Sequence, residues 1–481
     1  MVNSCNIVES IRRETTALTT HAALVDGMIE CTYGQLLASV AQVAGSLRGA
    51  GVRPLERVAF LCEDSIDYVV GCLAILQCGA VVVPVSPSLM ADELERILDR
   101  MDVNVLIQDV AVSSGSSGGS RLDGAGFFAA DFLLRRREAR NDQPSEYARL
   151  NPAFIRFSSG TTGDSKGVLL SHQTILERTE AADQGLHITD RDVVIWVLSM
   201  SFHFVVTILL YLRRGATVVI CRQPFPESFL DAAKARKGTV FYASPFHYHV
   251  MASSPRVPRD CLANVRLAIS TAMKLPAETA TAFAEKFGFG LVEAYGIIEI
   301  GLPFLNFRED RNKLGSVGRA LPGYEVRIVS PDPAGVGVVQ MRGPGLFDAY
   351  VSPWRNREQV LMEGWFDTGD VGRLDDQGAL FLLGKEKSVI NFVGMKIFPQ
   401  EVEEILNAHP AVADSQVYGE PHPHYGQMPC ARIVWRTGVT VPEPGALRRY
   451  CFERLAPHKV PKAFQSVDHL ERTISGKVRR A

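Results

Sequence analysis

The sequence predicts an α/β fold with largely parallel sheets in its first three hundred residues, then a short-stranded β-rich segment and a compact α+β unit. Three observations carry this. Short Val/Ile-rich runs alternate with helical patterns from Tyr33 to Val292; beyond Pro322 the strands shorten and turn residues separate them; after Lys385 two helices and two strands form a unit of domain size. The chain has 481 residues, 46% of them hydrophobic and 22% charged, enough for two or three domains with sizeable cores.

In order, Arg57 to Leu61, Val81 to Val85 and Asn104 to Ile107 read as buried strands, with a helix over Ala91 to Met101. Tyr68 to Val85 breaks at Gln77 and Gly79, which predicts a buried helix followed by a buried strand rather than a membrane span. Val197 to Leu212 contains His203 and stops at Arg213-Arg214-Gly215, so it too is core, and Ala216 to Cys221 is the next strand after Val193 to Val197 and before Thr239 to Ala243. Ser113 to Gly126 is a polar surface loop. Further on, Tyr324 to Val329, Val338 to Arg342, Val371 to Leu374 and Ala379 to Leu383 are strands, the last two joined by the turn Asp375-Asp376-Gln377-Gly378. The final unit has a helix opening at Pro399, strands Asp414 to Tyr418 and Cys430 to Trp435, and a helix over Gly445 to Leu455.

Charge and cysteine content narrow the function. A net charge of -2 gives no basic footprint for nucleic acid or an anionic membrane, so any phosphate site must be local. Nine cysteines without a C-x-x-C pair suit a reducing compartment and predict no zinc site. Met1 to Arg12 lacks an apolar run, so no secretory leader is expected and the cytoplasm is the expected location.

The chemistry is concentrated in Ser158-Ser159-Gly160-Thr161-Thr162-Gly163-Asp164-Ser165-Lys166-Gly167, directly behind the apolar run Ala153 to Phe157. Three glycines let backbone N–H groups converge on an anion, hydroxyls add donors and Lys166 adds positive charge, the makings of a polyphosphate cradle for a nucleotide. It is not the P-loop of the common NTPases, because Lys166 is followed by Gly167.

This run, with Glu293-Ala294-Tyr295-Gly296-Ile297-Ile298-Glu299, Gly364 to Asp370, Gly384 to Gly394 and Arg472 to Lys477 in the same order and at similar spacing, resembles the adenylate-forming superfamily of acyl-CoA synthetases, free-standing adenylation domains and luciferases. The resemblance covers nearly the whole chain. It implies a large N-terminal domain, residues 1–384, of two mainly parallel sheets with helices and a small β-rich subdomain at about 322–384, and a small mobile α+β C-terminal domain, residues 385–481. It further implies ATP, Mg²⁺ and coenzyme A, or the phosphopantetheine of a carrier protein, as cofactors and partners, and fatty or aromatic acids as the metabolic context.

By the same resemblance, Ser158, Ser159, Gly160, Thr161, Thr162, Gly163 and Lys166 hold phosphates, Glu299 and Thr162 hold Mg²⁺, and Ala294, Tyr295 and Gly296 line the nucleotide. Asp370 and Lys385 meet the ribose, and Lys477 is the catalytic cation that reaches the carboxylate and α-phosphate. The C-terminal domain pivots near Lys387 so that a thiol enters beside Gly394. Phe202 and His203 occupy the place where members that activate acids without an α-amino group carry an aromatic–histidine pair, and Ser244, Phe246, His247, Ser270, Thr271 and Ala272 complete the acid pocket. A histidine gives an ammonium no counter-charge, so an acyl or aryl acid is favoured over an amino acid.

Four positions depart from the pattern. Ile298 replaces a threonine, removing a hydroxyl worth about 1–3 kcal/mol to the α-phosphate; Lys385 replaces an arginine, Asn391 a lysine and Thr271 a glycine. Two acceptors stay open, CoA and a carrier protein, and the departures add a third reading, a catalytically weakened nucleotide-binding protein.

Overall fold

The computed structural model describes residues 6–112, 119–122, 126–157, 166–222, 224–306, 315–393, 395–472, 478 and 479. Two nine-stranded sheets form its centre. The first runs Arg319–Ala320, Gly301–Leu305, Val292–Ile297, Leu267–Ser270, Val240–Ala243, Val193–Trp196, Thr217–Ile220, Ala22–Asp26, Ile29–Thr32. Its six middle strands, Val292–Ile297 to Ala22–Asp26, are parallel. The second runs Trp354–Asn356, Ala349–Val351, Gly167–Ser171, Pro152–Phe157, Val81–Val85, Arg57–Leu61, Val105–Asp109, Phe132–Arg136, Ser120–Arg121.

Only four central strands of this second sheet are parallel. Its flanks are antiparallel, some through hairpins such as Pro152–Phe157 with Gly167–Ser171 and one, Gly167–Ser171 with Ala349–Val351, through strands far apart in the chain, which periodicity within one strand does not reveal. One of those hairpins, Pro152–Phe157 with Gly167–Ser171, pairs Phe157 with Gly167 and so brackets the whole predicted phosphate loop.

Alternation along each strand builds the layers. In Val193–Trp196, Val194 and Trp196 face the space between the sheets, where they join Phe60, Val82, Phe154 and Leu170 of the second sheet and the fully buried helix Ile66–Gln77. Ile195 faces outward, onto the layer that holds Phe229, Tyr248 and Phe283 of three covering helices. Helix Ala91–Arg100 covers the far face of the second sheet through Leu98.

A four-stranded antiparallel sheet, Glu325–Val329, Gly337–Arg342, Phe366–Leu374 and Leu380–Lys385, makes the β-rich segment. The last unit has its own five-stranded sheet and its own core of Ile390, Val402, Leu406, Val417, Ile433 and Leu447. Its central hairpin, Val412–His422 with Gly426–Trp435, is longer than the sequence predicts, because Glu420, Pro421 and His422 have low strand propensity yet pair with Met428, Gln427 and Gly426. Helix Pro399–Asn407 connects this unit to the rest: Phe398 at its start packs on Val336 and Val371, and Glu404 pairs with Lys274. The eight cysteines among the described residues are free, six of them buried. Among the described residues no helix is long and apolar enough to cross a membrane.

Candidate active site

The site lies where the two nine-stranded sheets meet the β-rich segment. Ser158, Ser159, Gly160, Thr161, Thr162 and Gly163 fall outside the described residues, as do Gly394 and Lys477. The base of their hairpin is defined. Lys166, beside Gly167, sets its ammonium 4.9 Å from the ring centroid of Tyr350, on the adjoining strand Ala349–Val351, where Tyr350 is opposite Val168. The Tyr350 hydroxyl donates to the Glu299 carboxylate at 3.1 Å. Two predicted residues, 133 apart in sequence, are thus joined by a tyrosine that no local pattern singles out, since only the fold brings Ala349–Val351 beside the phosphate hairpin.

Glu299 sits in the tight turn between Val292–Ile297 and Gly301–Leu305. The turn demands glycine: a Cβ on Gly296 would stand 2.2 Å from the Gly301 carbonyl oxygen, and Gly301 itself has φ +102°. The turn is held from behind by Arg178 of helix His172–Leu186, a fully buried guanidinium with no carboxylate partner among the described residues. Its Nε donates to the Gly345 carbonyl at 2.5 Å and its two terminal nitrogens to the Ile298 and Glu299 carbonyls at 2.7 Å each. Burial draws Arg178 down to about 10, so it stays charged at neutral pH. Sequence reading missed Arg178; its signal, an arginine within the buried set of an amphipathic helix, is weak on its own.

The residues expected at the nucleotide form a second cluster. The Tyr295 hydroxyl donates to Asp370 Oδ2 at 2.6 Å and the Lys385 ammonium reaches the same oxygen at 2.8 Å, Asp370 and Lys385 being cross-strand partners. Asp370 is buried, and its own amide is steadied by the Thr368 hydroxyl. Burial, reinforced by the Asp370 charge, pushes the Tyr295 phenol well above its ordinary range, so it stays a donor. Ala294 is buried in the same strand. Lys387 is exposed on the short turn Glu386–Ser388 that leads into the C-terminal sheet. Residues flanking the predicted catalytic lysine pair across, Arg472 with Val478, and Arg472 is fixed to Asp414.

On the acid side, helix Met200–His203 is pinned at both ends of its short length: the Met200 amide donates to Asp64 at 2.9 Å, and the Phe202 carbonyl accepts from the buried Arg156. His203 meets Trp196 edge-on at 6.4 Å, and Trp196 stacks on Tyr242 at 5.8 Å, an aromatic wall. The chain then enters a π-helical turn, Phe204–Ile208, the kind of local widening that recurs at functional sites.

Ser244 and His247 Nδ1 are 2.8 Å apart, and burial draws His247 down to about 4, leaving it neutral at pH 7. Phe246 is largely exposed, its ring edge-on to His247 at 5.5 Å. Ser270 is fully buried with no partner for its hydroxyl among the described residues, Thr271 accepts from Tyr242 at 3.4 Å, and Ala272 holds φ +72°, a left-handed backbone costing a residue with Cβ about 1–2 kcal/mol. Strain of that kind is kept where a fixed backbone is needed.

The chain matches the model of the AMP-binding enzyme family over residues 12–351 and that of the AMP-binding enzyme C-terminal domain over residues 401–477. It is 29% identical to a feruloyl-CoA synthase of Amycolatopsis sp, covering 95% of this chain and 94% of that one, and 28% identical to an indoleacetate–CoA ligase of Aromatoleum aromaticum, covering 94% and 92%. Among solved structures it is similar to ATP-bound MatB from Rhodopseudomonas palustris (TM-score 0.85, 26% identity, 98% and 97% covered). It is also similar to the o-succinylbenzoate CoA synthetase of Bacillus subtilis with its acyl-adenylate intermediate (TM-score 0.84, 25% identity, 98% and 96% covered). The phosphate hairpin, the Glu299 turn and the Asp370 cluster therefore stand in the fold that carries this chemistry, and the chain belongs to the AMP-binding enzyme family, the AMP-forming ligases that activate a carboxylic acid as an acyl-adenylate and pass the acyl group to CoA.

Proposed function

We propose that this chain activates an acyl or aryl acid, not an α-amino acid, and that residues 1–384 and 385–481 are the two moving parts of the cycle. The observation that supports it most is the constellation of Lys166, Tyr350 and Glu299 beside the cluster of Asp370, Tyr295 and Lys385. One set suits a polyphosphate, the other a ribose, and the hairpin Pro152–Phe157 with Gly167–Ser171 carries the predicted phosphate loop beside the first.

The substrate carboxylate must attack the α-phosphorus of ATP and expel pyrophosphate, a meeting of two anions that needs alignment and charge neutralisation. Lys166 and the loop before it hold the β- and γ-phosphates. Glu299 has a carboxylate oxygen fixed by Tyr350, and a hard carboxylate at this place fits Mg²⁺, which with Thr162 would be held there to neutralise phosphate charge. Tyr295 and Lys385 orient Asp370 toward the ribose hydroxyls. Lysine reaches the Asp370 oxygen as a point charge, so the missing guanidinium fork at this position is offset by a tyrosine rather than by a second lysine donor. Lys477 neutralises the developing charge, and the C-terminal unit then pivots near Lys387 to admit the thiol beside Gly394.

On the acid side, His203 and a neutral His247 supply no counter-charge for an ammonium, which favours acids without an α-amino group. The protein is placed in the cytoplasm, supported by its free, mostly buried cysteines. The test is pyrophosphate release with ATP and Mg²⁺ across fatty, aryl and amino acids, with Lys477→Ala as control and CoA added second. Release for an acyl or aryl acid that Lys477→Ala abolishes and that yields thioester with CoA supports the reading. Release indifferent to CoA transfers the acceptor to a carrier protein, and release only with amino acids refutes the substrate class.

A further inference from the structure

Of the buried arginines that the chemistry above leaves unused, Arg57 and Arg213 are paired with carboxylates and Arg156 stands apart. Arg156 stands at the carboxyl end of Pro152–Phe157, two residues before the phosphate loop, and is only 8% exposed. Its guanidinium donates to the Phe202 carbonyl, and among the described residues no carboxylate comes within ion-pair reach of it. Asp64, a half-buried carboxylate that anchors the same helix, accepts the Met200 amide, and the cation that offsets its charge is Arg222. A guanidinium removed from water is costly to keep unless its donors are met: Arg178 meets three carbonyls, whereas among the described residues Arg156 meets one and keeps donors for an anion.

The surroundings are built for such an arrival. Beside Arg156 lies a crevice of about 10 Å³, room for one oxygen atom, lined by Pro84, Ser86, Arg156, Phe157, Ser201 and Phe202. Ser86 follows the carboxyl end of Val81–Val85, the parallel neighbour of Pro152–Phe157, and ligands of open α/β sheets bind outside such ends. The nearby Tyr68 hydroxyl, which feels the Arg156 charge, is buried and among the described residues has no oxygen or nitrogen partner, with the Cys72 thiol close to it. A cation, two serine hydroxyls and an orphaned phenol thus cluster next to the helix that presents His203.

We propose that Arg156, with Ser86 and Ser201, is a carboxylate-binding subsite for the acid substrate, holding either the reacting carboxylate or a second one on the same acid. This rests on the acid-activating reading above. Acid specificity is then set partly by a cation on the phosphate-loop strand, and not by the helix Met200–His203 and the Ser244–His247 pair alone.

The test measures kcat and KM for ATP and for matched mono- and dicarboxylic acids, by pyrophosphate release, in wild type, Arg156→Met and Arg156→Gln, with thermal unfolding of each. Wild-type release with an acid upholds the ligase reading independently. Acid kcat/KM is expected to fall about 10- to 100-fold in Arg156→Met with KM for ATP unchanged, the size of one lost charge-assisted contact. A fall for dicarboxylic acids alone assigns a second carboxylate; an equal fall for both classes assigns the reacting one. Arg156→Gln keeps a donor for the Phe202 carbonyl without the charge, and gives the same comparison where the methionine variant does not fold. Acid kinetics that stay at wild-type values while only the unfolding temperature drops, or a rise confined to KM for ATP, overturn the proposal. So does an equal loss of acid affinity in Asp64→Asn, which loosens the same helix from its other end and leaves the cation in place.

Discussion

Replacing Arg178 by methionine should separate the two things its guanidinium does. The side chain is 1% exposed and donates to three backbone carbonyls, Gly345 at 2.5 Å and Ile298 and Glu299 at 2.7 Å. Three hydrogen bonds to a charged donor total about 5–9 kcal/mol if summed at about 1.5–3 kcal/mol each. That sum overshoots, because the guanidinium gave up its hydration with no counter-ion; breaking a buried ionic arrangement by truncation costs about 3–5 kcal/mol. In a chain of this size unfolding should therefore come roughly 3–6 °C earlier.

The more telling loss is functional. Without the clamp the Glu299 turn gains freedom, and the carboxylate that Tyr350 holds becomes a less organised ligand. Pyrophosphate release measured against Mg²⁺ at saturating ATP, below the variant's unfolding temperature, should show a half-saturation raised about 10-fold, equivalent to about 1.4 kcal/mol. Arg178→Lys should fall between methionine and wild type. A folded Arg178→Met enzyme with wild-type Mg²⁺ dependence would refute the reasoning, since Arg178 would then support the fold without ordering Glu299.

Tyr350→Phe keeps the ring under Lys166 but deletes the donor to Glu299, so the same Mg²⁺ titration should shift about 3- to 10-fold with little change in unfolding temperature. Tyr295→Phe and Lys385→Met each remove one of two donors to Asp370; each should raise KM for ATP several-fold, and the double variant less than the product of the two, because both act on one oxygen. Gly296→Ala should abolish activity in a protein that is at best poorly folded, its Cβ colliding with the Gly301 carbonyl, as circular dichroism and pyrophosphate release together would show. Glu293, 7% exposed, is pushed up by burial to about 7 from an ordinary 4.5, the Leu275 amide only partly opposing the shift. The folded state thus binds this proton more tightly than the unfolded one, so Glu293 makes stability decline as pH rises from 4.5 to 7 and stay level above; Glu293→Gln should remove that slope in unfolding scans at pH 5 and 8.

What the chain disclosed in advance follows from how local each signal is. Val81–Val85 and Val240–Ala243 are visible as buried strands because every residue is apolar, and the Glu299 turn is visible because Tyr295, Gly296 and Glu299 lie within five positions. Asp370 and Lys385 are cross-strand partners whose hairpin turn, Asp375 to Gly378, can be read directly. Tyr350, Arg178 and Arg156 were not legible, because each acts through a partner 46 to 167 positions away, and such pairings exist only once the sheets have stacked. The antiparallel flanks of the second sheet were hidden for the same reason: strand direction is a property of connections, not of composition.

The contact between Lys274 and Glu404 ties the first sheet's edge loop to helix Pro399–Asn407, and both side chains are substantially open to water, at 35% and 53%. An ion pair so exposed contributes about 0–1 kcal/mol, and the neighbouring Phe398 contact adds the burial of one apolar side chain, about 2 kcal/mol. The rotation proposed above would have to undo both, a total small enough for thermal energy to supply. The pair thus works as a magnetic catch rather than a bolt: it gives the closed arrangement a preferred register, releases without outside help, and would loosen as salt is added.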